Sequence, residues 1–177
     1  IMAKQIRSVV RLDASRLANG REDIYSLRVS EEVENGFVLK VGEVEDGNHD
    51  VREGVKPSAG DKIAIIANPA LIYDNNRLGS GLERYYFMEA DEVVRAYTPH
   101  PTYIFSVSEE GIEGVAEAGK FVVSAVGYKL KVEDTEPVDA TGFVGKIVRL
   151  DTVGGALSLN VTQKPTKYVV IDTIQNA

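Results

Sequence analysis

Short apolar runs, cut at close intervals by turn-forming residues, constrain this chain more than any other feature. From Ile24 the apolar residues Tyr25, Leu27 and Val29 alternate with Ser26, Arg28 and Ser30. That period of two places one face of a strand in a core and the other in water. Asn35 and Gly36 follow, then Phe37 to Val41, and Asn-Gly between two such runs predicts a tight hairpin. Lys62–Ala67, stopped by Asn68 and Pro69, reads as a buried strand. Tyr85–Met88 is expected to be another, and Glu89–Tyr97 fits one helical turn or a strand equally well. Further strands are expected at Thr102–Ser108, Lys120–Ala125, Tyr128–Val132, Gly142–Leu150, Leu157–Thr162 and Tyr168–Thr173, each bounded by Gly, Pro, Asp or Asn.

The fold class implied is all-β: a sandwich or barrel of short antiparallel strands with little helix, leaving room for a second small β domain. Residues 1–20 read as an N-terminal arm and 21–112 as the main β domain. Residues 113–177 read as a C-terminal β domain or a continuation of the same barrel, with a boundary near 108–118. Residues 43–61 read as a long charged loop. The stretches opening at Gly36 and Gly142 look alike, with a looser third copy at Gly119. They read as one local solution, a turn glycine feeding an aromatic-then-branched strand, and not as a repeat array.

Composition narrows function by exclusion. With 27 Asp and Glu against 20 Lys and Arg, the net charge is −7, which argues against duplex nucleic acid and anionic membranes as partners. Cysteine is absent, which rules out disulfides, thiolate zinc sites and cysteine nucleophiles. The opening residues have no apolar signal region, so the expectation is a chain made in the cytoplasm. His49 and His100 both fall in loops and leave little for acid–base or metal chemistry.

The remaining motifs have ordinary readings. Asp46, Asn48 and Asp50 copy the first half of a calcium loop, but Val51 and Pro57 stand where Gly and Glu are needed. Gly79–Gly81 lacks the Lys and helix of a phosphate cradle. Gly154 and Gly155 read as a hairpin tip, and Asn160–Thr162 as a sequon never glycosylated. The acidic pairs Glu31–Glu32, Asp91–Glu92 and Glu109–Glu110 read as solvated surface rather than carboxylate dyads. No catalytic residue, metal ligand or cofactor is expected. Two groups are candidates for contacting a partner. Lys4, Arg7, Arg11 and Arg16 make a basic arm on an acidic chain, suited to strand addition. Tyr85, Tyr86, Tyr97 and Tyr103 belong to the densest aromatic cluster, part of which would face outward.

The segments Glu92–Tyr97, Tyr103–Ser108 and Val115–Val122, with Glu34–Val38, Gly60–Asp61 and Ala67–Pro69 upstream, together resemble the head decoration proteins of tailed phages and related virion structural proteins. The resemblance touches residues 25–130, and the strands past Gly142 have no counterpart in it. It implies a β-rich accessory protein of the virion, made in a host bacterium, that cements the major capsid protein or another virion protein, often as a trimer. A tail-tube or head-fibre-base protein, and a metal- or small-ligand-binding β domain, are the alternative expectations.

Overall fold

The computed structural model describes residues 5–13, 24–70, 83–138, 140–154 and 165–177. Their strands are β1 (Val10–Arg11), β2 (Ile24–Val29), β3 (Val38–Val44), β4 (Val51–Val55), β5 (Ala64–Ile66) and β6 (Val93–Tyr97). Then come β7 (Ile104–Ser108), β8 (Ile112–Glu113), β9 (Phe121–Val123), β10 (Leu130–Glu133), β11 (Phe143–Val153) and β12 (Thr166–Asn176). Five strands close a barrel in the order β2-β4-β3-β5-β6, and seven form a sheet in the order β1-β7-β12-β11-β9-β10-β8. The only helical pieces described are 3-10 turns at Glu83–Tyr85 and Glu109–Gly111. The all-β class therefore holds, with barrel and sheet both present.

The two layers share a wall. Val38, Ile65 and Tyr97 lie side by side across β3, β5 and β6 and point into a core completed by Phe105, Phe143, Ile147, Val169 and Ile171 of the sheet. Their neighbours Leu39, Ala64, Ile66 and Ala96 point the other way, into the barrel interior with Leu27, Val29 and Val94. This is why Ile63–Ile66 is a continuous apolar run: both faces of β5 are buried, so alternation has no polar side to show.

A polar seam fixes the layers' relative position. The buried side chain of Asn176, at the end of β12, accepts from the Ile63 amide at 2.9 Å and donates to the carbonyls of Ile63 and Pro99 at 2.9 and 3.1 Å. Beside it Gly142 has φ +81°, and a β-carbon there would collide with the backbone of Gly60 and Asp61. Gly36 and Gly119 also have positive φ and feed β3 and β9 as Gly142 feeds β11. The three look-alike stretches are thus one turn-into-strand device, as read from the sequence.

Several expectations are corrected. β2 and β3 do not form a hairpin, because β4 lies between them, parallel to β2 and antiparallel to β3. Asn35 does not take the positive φ that a primed turn needs. Instead its side chain acts like a peptide group, donating to Asn68 O at 2.9 Å and accepting from Asn68 N at 2.8 Å. The expected loop 43–61 contains β4, so the true hairpin is β3–β4, turning at Gly47. Strand pairing is antiparallel as expected except at β2–β4 and β8–β10, which pair in parallel. In place of a strand at Tyr85–Met88 there is the end of a 3-10 turn and a single bridge from Met88 to Val33. Glu89–Tyr97 supplies strand β6. The boundary expected at 108–118 falls inside the sheet, which takes β1, β7 and β8 from upstream of residue 114. Leu157–Thr162, Gly79–Gly81, Gly155 and Asn160–Thr162 lie outside the described residues.

Asn176→Ala would leave the buried Ile63 amide and two carbonyls without partners. It is expected to lower unfolding free energy by about 2–4 kcal/mol, measured as a shift in urea midpoint. A loss within about 0.5 kcal/mol would show that the seam does not hold the layers together.

Candidate interaction surface

Residues 5–13, the described part of the expected arm, are built into the body. Ser8, Val9 and Val10 are buried, and β1 pairs with β7 at Val107 and Ser106. Strand addition thus takes place within the chain. The Arg7 guanidinium lies 2.5 Å from Glu32, 2.9 Å from Glu34 and 4.5 Å over the Phe87 ring, with its side chain only 15% exposed. Burial pulls its pKa down, but the hydrogen bonds to Glu34 and Glu32 outweigh that and raise it. Glu34 also accepts from the Ser8 amide at 2.6 Å. Arg11 pairs with Glu83 and lies 5.6 Å over Tyr168. Lys4 and Arg16 lie outside the described residues.

The aromatic face is likewise an interior. Tyr86, Tyr97 and Tyr103 are buried, and Tyr103 donates its hydroxyl to Asp13 O at 2.9 Å. Tyr85 is half-buried at the end of its 3-10 turn. Counting rings by strand alternation missed that the sheet covers the barrel wall from outside.

The surface offers a groove of about 500 Å³ on the outer side of β2 and β4. Arg28 and Glu53 are neighbours across these parallel strands. Val29, Gly54 and Val55 line the groove between them, and at Gly54 a β-carbon would lie 3.0 Å from Arg28 O and 3.1 Å from Leu39 Cδ1. Tyr128 makes one wall. It comes from the β9–β10 loop, which docks on the barrel through Val38 N to Tyr128 O at 2.8 Å, and its ring stacks on Phe37 at 6.1 Å and 5°.

Paired charges rim the groove. Arg28 donates to Glu45 at 2.5 Å and to Asp91 O at 2.7 Å, and Asn48 donates to the other Glu45 oxygen at 2.8 Å. Lys56 meets both oxygens of Glu31 at 3.0–3.1 Å and sits 4.8 Å over the Tyr128 ring. The Arg28 hydrogen bond holds the Glu45 carboxylate below its ordinary value, against some desolvation. The Glu31 hydrogen bond likewise raises Lys56, while burial raises the Tyr128 phenol. Glu53 and Asp91 complete the lining; the Asp91 charge acts on Arg28 without a salt-bridge contact among the described residues.

Asp46, Asn48 and Asp50 surround the exposed β3–β4 turn, with Asn48 turned to Glu45. His49 and His100 are exposed. Among the described residues no three His, Asp or Glu side chains gather as a metal site would require. No protein-family profile, curated protein or solved structure matches the chain.

Two measurements check this electrostatic picture. Glu34→Ala is expected to cost about 1–3 kcal/mol and to speed amide exchange at Val9 and Val10. Unchanged protection there would show the tether to be incidental. A carboxyl-detected NMR titration is expected to find Glu45 titrating below its ordinary 4.5, and to return toward it in Arg28→Gln. Because folding lowers this pKa, the pair's stabilisation is present above the unfolded value and is lost as pH falls through the folded one.

Proposed function

We propose that this chain is a non-catalytic structural protein that docks on a larger protein assembly, and that the assembly is a phage capsid shell which it decorates. The observation that carries the non-catalytic part is the pairing of the groove's rim: Arg28 donates to Glu45 and to Asp91 O, and Lys56 meets both oxygens of Glu31. Charged side chains tied to one another in this way present fixed charge for recognition.

The groove also supports a choice of contact. Its apolar floor and tyrosine wall fit the aliphatic stem of a long side chain, and Glu53 and Asp91 fit a cation at the end of that stem. A lysine or arginine on an extended segment of the shell protein meets both requirements, in keeping with the net charge of −7. The docking contact is thus assigned to this groove, since Arg7 and Arg11 are occupied within the chain. The capsid itself rests on the resemblance of residues 25–130.

Pelleting with empty shells tests both parts. The wild-type chain is expected to co-sediment, and Glu53→Lys, exposed on the barrel's outer face, is expected to weaken binding about tenfold or more. Shells that carry down no wild-type protein would remove the capsid reading. Undiminished pelleting of the variant would remove the groove as its contact.

A further inference from the structure

β11 outruns its neighbour on one edge. β12 pairs with it from Phe143 to Val153, but on the other side β9 covers only Val144–Lys146. The last backbone bonds there are Gly119 N to Ile147 O and Ile147 N to Lys120 O, both 2.8 Å. Among the described residues no backbone group pairs with that edge from Val148 to Val153. A bulge between Ile147 and Arg149 opens this stretch, after which the register from Arg149 to Val153 is unbroken. Val148, Leu150 and Val153 on it are 47%, 43% and 58% exposed. A strand edge with no described backbone partner, half of its side chains apolar, can template another strand.

The side chains specify which strand fits. Arg149 and Asp151 flank Leu150 and lie on one face, where the guanidinium reaches the carboxylate at 2.9–3.0 Å. If two copies of β11 run antiparallel about a two-fold axis at Leu150, each Arg149 faces the other copy's Asp151. Leu150 then faces its own counterpart, and Val148 faces Thr152. The stretch is self-complementary in charge and in shape, as an isologous interface requires. We infer that this chain forms a homodimer through antiparallel pairing of β11 with β11 of a second copy, joining two seven-stranded sheets into one. The inference does not depend on capsid binding and stands or falls separately.

A five-residue ladder, Val148 to Thr152 on each strand, lies below the ~1,200 Å² of a standard interface, so a dissociation constant on the order of 10–100 µM is expected. Sedimentation equilibrium from about 1 to 300 µM is expected to show mass rising from monomer to dimer. Arg149→Asp sets like charges opposite each other and is expected to weaken the dimer about tenfold or more. The double reversal Arg149→Asp with Asp151→Arg is expected to restore it. Because the chain has no cysteine, Leu150→Cys gives a direct reading: opposed antiparallel Cα atoms are about 4.5–5.5 Å apart, within disulfide reach. Mild oxidation is expected to link Leu150→Cys into covalent dimers and to leave Val126→Cys, 78% exposed on the β9–β10 loop, unlinked. The proposal is overturned by a monomer at every concentration. It is equally overturned by a dimer undiminished in Arg149→Asp whose Leu150→Cys form links no faster than Val126→Cys.

Discussion

β3, β5 and β6 bury side chains on both faces, and the rest of the molecule is arranged around that wall. One face closes the barrel over Leu39, Ala64, Ile66 and Ala96, and the other meets the sheet through Val38, Ile65 and Tyr97. Strands buried on both sides have no solvent-facing register to slip into, since either shift would expose apolar side chains. Barrel and sheet therefore constrain each other: each supplies the cover without which the other would show an apolar face to water.

The polar seam works at the margin of this wall. Asn176 satisfies backbone groups that would otherwise be stranded as β5 enters the interface, and Gly60 and Gly142 let the two backbones touch. In the N-terminal segment, β1 extends the sheet and Arg7 is gripped by Glu32 and Glu34. The outer groove is a by-product of the same packing. It exists because a loop of the sheet leans on the barrel and carries Tyr128 beside β2 and β4.

Local signals in the chain were legible where a strand has one buried face or a turn needs glycine. Tyr103, Phe105 and Val107 alternate into the core as their spacing implies, and Gly36, Gly119 and Gly142 take the positive φ their shared motif implies. β4 was illegible because Val51–Val55 is never deeply buried: its residues are half-buried or exposed, and its sequence reads like the charged loop around it. Missing β4 made β2 and β3 look like a hairpin. It also hid the groove, whose Arg28, Lys56 and Tyr128 come together only when β4 fills the gap between β2 and β3.

By itself the sequence determined an all-β chain without thiol chemistry, poor in histidine and net acidic, because strand period, turn residues and composition are properties of neighbours along the chain. Tertiary structure alone decided that Arg7 and Arg11 are spent on internal ion pairs, that Tyr86, Tyr97 and Tyr103 are core, and that β11 from Val148 to Val153 has no backbone partner on one edge among the described residues. Those outcomes depend on which strands become neighbours in space. Pairings between residues 25 to 113 positions apart, such as Arg7 with Glu32 or Ile63 with Asn176, leave no periodic trace in the sequence.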